Sequence, residues 1–472
     1  MDKLKIGFVG SMQHNFTGDK RAQFVKGIEG LTKLSDELGF DFYYYPELVV
    51  TSADARQAAR ALEDKKADLV VLQFSSFSAG EVILPIAKLE ARLALWAVPE
   101  PNEGGILGLN SFCSLNMGTS IVKNYLKEEQ IKVKWLFGDP GDNLFLDRFT
   151  ITVRALTAIK RMRNSRVALV GGIAPGFNDL YFDERKITRL LGIEIQRNHE
   201  FSEIKALALS YSDQDIAEDL RTVGSGYAMI DSEIKGNLAL NARIYKAYRE
   251  FAVQNEYDAL AISCWPKIQD EMQMLACSTL AKLNQSGLPS ACEGDLPGAV
   301  SMLMLKYLTG GEVPMLMDLV SFDEQDESVQ LWHCGPAAAC YACEQGVCLE
   351  RFFEKGENGY LRRPSVHNMV FKSQKATVMR FTGEFDRLFL LNGEFQKPGK
   401  PTYFGSAGWM GHLQLNRQSI TARDFVNTLL VTGFQHHYPV ISGDVTKEML
   451  ECGAWLDLSG VQEIRYQDYL QV

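Results

Sequence analysis

Carboxylate and imidazole side chains stand among apolar or small neighbours in four segments of the second half of the chain. The segments are ACEGDLPG (291–298), PMLMDLVSFDE (314–324), LWHCG (331–335) and GFQHHYPV (433–440). A charged group with apolar neighbours is costly to desolvate unless it is paired or bound to a metal. These segments therefore hold the candidates for chemistry.

The candidates form a mixed set of oxygen and nitrogen ligands. They are Glu293, Asp318, His333 and the adjacent pair His436 and His437. Such a set suits Mn²⁺, and also Co²⁺, Fe²⁺ or Zn²⁺. From the residues alone an alternative stays open, because a lone acidic residue at a strand end often caps a helix or faces solvent, and an adjacent histidine pair is often incidental.

The elements that must position these residues follow from the apolar periodicity. In residues 1–160, apolar runs of strand length at 5–10, 41–45, 68–74 and 92–98 alternate with helical patterns. Strands separated by helices indicate parallel βαβ units. The first domain is therefore predicted to be an open, Rossmann-like α/β domain.

A second open α/β domain is predicted over residues 161–312, where RVALVGG (166–172) and ALAISCW (259–265) are strand-like. After residue 312 the pattern changes to extended segments bounded by Gly and Pro turns, with one helix at Ala422–Val431. This pattern predicts an antiparallel, barrel-like C-terminal β domain over 313–472 that carries much of the metal site.

Composition excludes several classes of function. The net charge is −10, whereas a nucleic-acid binder normally carries a basic face. The first residues, MDKLKIGFVG, enter a strand pattern at once, and no apolar run reaches about 18 residues. We therefore expect no signal peptide, no membrane partner and a cytoplasmic location.

The nine cysteines suit a reducing compartment. Cys334, Cys340, Cys343 and Cys348 could bind zinc or an iron–sulfur cluster, which would indicate a redox protein. The segment between them is rich in small residues and compatible with a helix. We therefore favour buried free thiols.

Five strings together resemble the C-terminal half of the L-fucose/L-arabinose isomerase superfamily. They are CWPKIQD (264–270), ACEGDLPGA (291–299), MDLVSFD (317–323), WHCG (332–335) and HHYPV (436–440). Their order and approximate spacing match that superfamily, and its three-domain plan is consistent with the two preceding α/β domains. The overall look of the chain suits the short form of the superfamily, which includes sulfoquinovose isomerases.

The resemblance implies roles for individual residues. Glu293 matches the catalytic glutamate of a Glu-Gly-Asp string, and Asp318 matches the second catalytic carboxylate. His333 corresponds to a middle metal ligand and His437, rather than His436, to the late one. The chain departs from the arabinose type at Asp318 and in the cysteine after His333, and it is shorter than the fucose type. These departures leave the substrate open more than the reaction class.

The implied reaction is a metal-dependent aldose–ketose isomerisation of an open-chain sugar through an enediolate. L-fucose, L-arabinose, D-arabinose and an anionic relative such as sulfoquinovose are the substrates to consider. A divalent cation would polarise the carbonyl, while one carboxylate takes the carbon-bound proton and the other manages the hydroxyl proton. Which carboxylate is the base stays open.

The resemblance also implies substrate contacts and an assembly. Gln13, His14, Asn110, Asn116 and His436 are the expected substrate-binding residues. A homo-oligomer, either a trimer or a hexamer, is expected because N-terminal residues of the fucose type reach a neighbouring subunit's site. A sulfonate would need cationic or amide partners, for which Arg362 and Arg363 are further candidates.

The alternative from another class is a cytosolic sugar-binding protein without catalysis, because two successive α/β domains can also clasp a sugar at a hinge. That alternative has no need of the carboxylate and histidine set.

Overall fold

The computed structural model describes residues 3–356 and 359–471, and of residues 353–364 it describes no side chains. The chain divides into two compact units, Met1–Thr157 and Ala158–Val472. The second unit holds both the second α/β sheet and the β-rich part. The division into domains over 1–160, 161–312 and 313–472 stays a prediction.

The first unit contains a parallel sheet with the strand order β2-β1-β3-β4-β5. The strands are β1 (Lys5–Ser11), β2 (Asp41–Tyr44), β3 (Leu69–Phe74), β4 (Arg92–Ala97) and β5 (Val133–Phe137). Every residue of β3 is buried, as expected for a central strand covered on both faces. The helices are α1 (Lys20–Leu38), α2 (Ser52–Glu63), α3 (Gly80–Ala87), α4 (Ser111–Ser120) and α5 (Asn143–Arg163), the last of which continues past Thr157.

The second sheet is also parallel and has the order β10-β9-β6-β7. Its strands are β6 (Arg166–Val170), β7 (Glu194–His199), β9 (Ala259–Ile262) and β10 (Ser290–Ala291), while the short β8 (Met229–Ile230) pairs elsewhere. The helices are α6 (Glu184–Leu191), α7 (Phe201–Ser210), α8 (Ala217–Val223), α9 (Leu238–Gln254), α10 (Gln269–Met272), α11 (Cys277–Gln285) and α12 (Leu296–Leu308).

Helix α12 is almost entirely buried because it packs between the second sheet and the β-rich part that follows. Its side chains contact β9 and β10 on one side and later strands on the other. Its sequence, LPGAVSMLMLKYL, is apolar nearly all round, which is typical of a helix without a solvent-facing side. The start of α12 is therefore fixed relative to both layers.

The β-rich part is built on a closed antiparallel ring of six strands in the order β16-β15-β19-β11-β12-β17, with β17 pairing back to β16. Further strands extend it through β14 and β13. The strands are β11 (Met315–Asp323), β12 (Ser328–His333), β13 (Cys348–Gly356), β14 (Gly359–Val370), β15 (Gln374–Phe381), β16 (Arg387–Phe395), β17 (Ser406–Leu415), β18 (Gln418–Ser419), β19 (His437–Ser442) and β20 (Ser459–Gly460). The helices are α13 (Ala422–Val431) and α14 (Thr446–Leu456).

The predicted fold class is confirmed: two parallel α/β sheets precede an antiparallel barrel. Two details differ from prediction. The part after residue 312 contains a second helix, α14, in addition to the predicted α13. The strand predicted over 259–265 ends at Ile262, and a short helical segment begins at Cys264.

Within the described residues, no helix is both long and apolar enough to cross a lipid bilayer.

Candidate functional site

Glu293 stands in a tight turn between β10 and α12, at the carboxyl edge of the second sheet. Glu293 and Gly294 both have left-handed backbone angles, with φ of 60° and 72°. A Cβ on Gly294 would lie 2.2 Å from the carbonyl oxygen of Gly172, so this position requires glycine. The backbone N–H of Ala174 donates to the carbonyl of Glu293 at 2.9 Å. The turn is thus held against the loop after β6, at the edge where open α/β sheets bind ligands.

Asp318 and His437 are directly opposed residues on the neighbouring strands β11 and β19. Side chains of an opposed pair lie close together on one face of a sheet. The Nε2 atom of His437 is 3.6 Å from Oδ1 of Asp318 and 3.2 Å from Oε2 of Glu293. The barrel and the turn before α12 therefore bring two carboxylates and one fully buried imidazole to a common point.

The three facing atoms at this point lack hydrogen-bond partners among the described residues. They are Oε2 of Glu293, Oδ1 of Asp318 and Nε2 of His437, each almost completely buried. Nε2 of His437 lies near both carboxylates but forms a hydrogen bond with neither. A buried polar atom without a partner is destabilising. Two carboxylate oxygens and an imidazole nitrogen are ligands that Mn²⁺ and related divalent cations accept, so the residues present fit such a cation.

The electrostatics of the cluster favour positive charge at its centre. Burial alone would raise the pKa of Glu293, but the nearby imidazoles of His436 and His437 outweigh burial and hold this pKa well below its usual range. Burial alone would lower the pKa of His437, but Asp295 and Glu293 raise it to about 10. A site that stabilises a protonated imidazole so strongly is also a site that attracts a cation.

His333, at the end of β12, lies beside this point but is engaged at both ring nitrogens. Nδ1 accepts a hydrogen bond from the backbone N–H of Cys334 at 2.8 Å, and Nε2 is 3.0 Å from Sγ of Cys292. Cys292, Glu293, His333 and His437 can each place one ligand atom within 4.8 Å of the others. To coordinate a metal through Nε2, neutral His333 would have to give up the proton held there. Its membership of the ligand set stays a prediction.

His436 lies just before β19 and is half-exposed, whereas His437 is fully buried. Nδ1 of His436 is 2.6 Å from Oδ2 of Asp179, and Nε2 is 3.5 Å from Oε2 of Glu293. Adjacent histidines in a strand should point to opposite sides. The two histidines do not follow this rule, since the centres of their rings are only 4.1 Å apart. His436 precedes the first residue of β19, so its side chain does not follow the alternation of the strand.

An aromatic wall borders the cluster. The ring of Phe177 is 5.6 Å from the His436 ring and 6.2 Å from the Trp265 ring. Trp265 remains 38% exposed, so an apolar face is open to solvent beside the polar centre. Phe177 and Asp179 come from the loop that follows β6, and both contact His436. This loop therefore lies beside the cluster.

Sequence reasoning missed several residues around the cluster. Cys292 and Asp295 flank Glu293 in a string already singled out, yet neither was assigned a role. Arg380 carries a signal that could have been used, since it is the charged residue inside the apolar run ATVMRF of β15. Asp179 could not be found from sequence, because its partner His436 lies far away in the chain.

The predicted substrate-binding residues of the first unit lie mainly at the carboxyl edge of its sheet. Gln13 and His14 follow β1, and the backbone N–H of Gln13 donates to Oγ of Ser76 at 3.0 Å. Asn110 precedes α4 with a left-handed φ of 53°. Asn116 is exposed within that helix. Their role in binding substrate stays a prediction.

The cysteine cluster predicted as buried free thiols is free but only partly buried. Cys340 is exposed, and Cys343 and Cys348 are intermediate. Cys334 instead lies 3.0 Å from Cys277, sulfur to sulfur. Within the part of the chain that is described, the possible metal groups include none of Cys340, Cys343 and Cys348. The side chains of Arg362 and Arg363 lie outside the described residues.

Comparison with known proteins identifies relatives of one kind. The chain is 26% identical over 418 residues to proteins named sulfoquinovose isomerase from Priestia aryabhattai and Priestia megaterium, covering 88% of this chain and 90% of each relative. A sulfoquinovose isomerase from Alkalicoccus urumqiensis is 26% identical over 421 residues, covering 88% and 91%. No family model matches the sequence. The resemblance drawn from the motifs is therefore confirmed by relatives that span nearly the whole chain.

Solved structures add nothing to this comparison. Solute-binding proteins from Burkholderia multivorans and Agrobacterium vitis match with TM-scores of 0.18, at 12% and 10% identity. Each match covers 66% of this chain, and 93% and 90% of the respective binding protein. Such TM-scores support no argument about fold.

Proposed function

We propose that this chain is a divalent-metal-dependent aldose–ketose isomerase, and that sulfoquinovose is the first substrate to test. The observation that carries the proposal is the convergence of three partnerless buried atoms, Oε2 of Glu293, Oδ1 of Asp318 and Nε2 of His437. The names of the curated relatives supply the reaction and the substrate class.

In this proposal Glu293, Asp318 and His437 hold the cation, with His333 as the candidate fourth ligand. Mn²⁺ is the cation we expect, and Co²⁺, Fe²⁺ or Zn²⁺ are the alternatives. When bound, a divalent cation supplies Lewis-acid polarisation of the sugar carbonyl and stabilises the negative charge that develops on the adjacent oxygens.

The two carboxylates carry the proton transfers. Isomerisation removes a proton from C2 of the aldose and returns one to C1, while the hydroxyl proton moves in the same sense, from O2 to O1. Glu293 and Asp318 both approach Nε2 of His437, so one carboxylate can take the carbon-bound proton while the other serves the hydroxyl group. The low pKa of Glu293 keeps its carboxylate ionised, as a metal ligand must be.

Other described residues suit an open-chain sugar at this position. The exposed face of Trp265 and the ring of Phe177 can pack against its carbon-bound hydrogens. His436, held by Asp179, presents Nε2 towards Glu293 and can bond a sugar hydroxyl. This is the substrate-binding role that the sequence predicted for His436.

The remaining parts of the proposal rest on resemblance. Gln13, His14, Asn110 and Asn116 are proposed to contact the sugar, and amide or cationic groups among them are the candidates for the sulfonate. A trimer or a hexamer is proposed for the assembly.

The test combines a sugar panel with metal control. Purified protein is treated with chelator, reloaded with Mn²⁺, Co²⁺, Fe²⁺ or Zn²⁺, and incubated with sulfoquinovose, L-fucose, L-arabinose or D-arabinose in D₂O. We expect ketose formation, with solvent deuterium at the carbon that receives the proton, only in reloaded protein and best with Mn²⁺. Full activity with chelator present would refute the metal dependence. Tight binding of a sugar without conversion would favour the alternative, a sugar-binding protein.

A further inference from the structure

A buried ionic group lies directly behind His437. The carboxylate of Asp295 is completely buried, and its Oδ2 atom is 3.0 Å from Nδ1 of His437. The guanidinium of Arg380, also completely buried, donates to both carboxylate oxygens, at 2.6 Å through Nη1 and 2.9 Å through Nη2. A third donor is the backbone N–H of Gly298 at 2.9 Å, because Asp295 is the N-cap of α12.

The arginine is itself held in place. Its Nε atom donates to Oε1 of Gln435 at 3.0 Å. The Nε2 atom of Gln435 donates in turn to the carbonyl of Asp179 at 2.5 Å. One connected group of side chains therefore joins the start of α12, strand β15 and the segment just before β19.

We propose that Asp295, fixed by Arg380, is a positioning residue that makes His437 a metal ligand. The inference rests on the proposed function, in which His437 binds the cation. A neutral imidazole carries one proton, and a carboxylate at Nδ1 requires that proton to be there. The lone pair of Nε2 is then directed at Glu293 and Asp318, and the ring cannot turn.

A structural role alone does not account for this arrangement. Capping of α12 uses only the contact between Asp295 and Gly298. An arginine with no exposed surface adds a large desolvation cost that helix capping does not need. Its planar, two-pronged contact instead prevents the carboxylate from rotating and keeps it ionised. Both effects serve the contact with Nδ1 of His437.

The experiment measures the affinity of the protein for Mn²⁺ alone, without sugar, by titration calorimetry or by loss of the free-Mn²⁺ electron paramagnetic resonance signal. Asp295→Asn keeps the size of the side chain but removes its charge. We expect it to weaken Mn²⁺ binding by about 10–100-fold, the range known for groups that orient metal ligands. The matched control is Asp219→Asn on α8, which removes another buried carboxylate, paired with Arg249 and Lys246 of α9. This control should bind Mn²⁺ as the wild type does.

A double variant covers the case in which Asp295→Asn does not fold because Arg380 is left unpaired. Asp295→Asn with Arg380→Met removes both charges, and neutral replacement of a buried ion pair is often tolerated. If the inference is right, the folded double variant still binds Mn²⁺ about 10–100-fold more weakly. Wild-type affinity in either folded variant overturns the inference alone. Failure of the wild type to bind Mn²⁺ overturns the proposed metal site and this inference together.

A spectroscopic readout separates positioning from stability. In protein labelled with ¹⁵N-histidine and loaded with diamagnetic Zn²⁺, His437 should show a proton on Nδ1 that exchanges slowly with solvent. The signal is assigned to His437 by its absence from the spectrum of His437→Gln. In Asp295→Asn we expect the Nδ1 proton of His437 to exchange rapidly with solvent. A His437 ring protonated on Nε2 in the Zn²⁺-loaded wild type would overturn the inference.

Discussion

Replacing each histidine of the adjacent pair by alanine should have opposite effects on metal-dependent stability. His437 is completely buried, and its Nε2 atom faces both Glu293 and Asp318. His436 is more than a third exposed and is bonded to Asp179. His437→Ala therefore removes one of three converging ligands, whereas His436→Ala leaves all three in place.

The size of the effect follows from linkage. A metal present at 100 times its dissociation constant stabilises the native state by about 2.7 kcal/mol. Loss of a group that orients a ligand weakens binding by about 10–100-fold, which is a lower bound for loss of the ligand itself. At a 100-fold weaker affinity the same metal concentration equals the dissociation constant, and the stabilisation falls to about 0.4 kcal/mol.

The assay is urea unfolding of the full chain, followed by its tryptophan fluorescence, with chelator and with Mn²⁺ at 100 times the wild-type dissociation constant. Wild type and His436→Ala should gain about 2.7 kcal/mol from the metal, and His437→Ala about 0.4 kcal/mol or less. Because each variant is compared with itself, any cost of the cavity cancels. A full gain in His437→Ala with none in His436→Ala would transfer the ligand role to His436. A full gain in both variants would show that neither histidine is a metal ligand.

Three further predictions concern catalysis, pH and assembly. Glu293→Gln and Asp318→Asn should each lower kcat by about 10²–10⁴-fold. Mn²⁺ content must be measured alongside, and near-wild-type kcat in either metal-loaded variant would show that its carboxylate is not catalytic. Burial lowers the pKa of His367 from 6.5 to about 4. The unfolded chain then binds a proton that the folded chain excludes, so stability should fall as the pH drops below 6.5, by about 2 kcal/mol between pH 7 and pH 5 from this residue. In urea titrations at the two pH values, His367→Gln should lose about 2 kcal/mol less of its unfolding free energy than the wild type does. The same loss in both proteins would show that the proton uptake does not occur at His367. Light scattering at micromolar concentration should report a trimer or a hexamer, and a monomer would contradict the proposed assembly.

The layers of the fold could be read from the sequence because their signals are local. Apolar runs such as DLVVLQF identify central parallel strands, and Gly and Pro turns mark the change to antiparallel structure. Helix α14 was missed because its sequence, TKEMLECGAWL, includes a glycine and a cysteine and follows a strand of the barrel without a clear capping residue. The missing cap weakens the usual start signal of a helix.

The candidate site was likewise predictable only in part. Glu293, Asp318 and His437 could be proposed because unusual polar residues in apolar segments, and the motifs around them, are visible in the chain. The contact between Asp295 and Arg380 could not, since it joins α12 to β15 across the interior. The same is true of Asp179 and His436. Contacts of this kind depend on packing, which local patterns do not encode.

The cross-strand pairing of Asp318 with His437 has a consequence for how the protein assembles itself. These two side chains meet only after β11 and β19 have paired, and that pairing joins distant parts of the chain. Contacts of this kind form slowly because a long loop must close first. A slip of the register by one residue would turn the shifted strand's side chain to the other face. We therefore expect the ability to hold a cation to arise late in refolding, so that the time course of Mn²⁺ capture reports closure of the barrel.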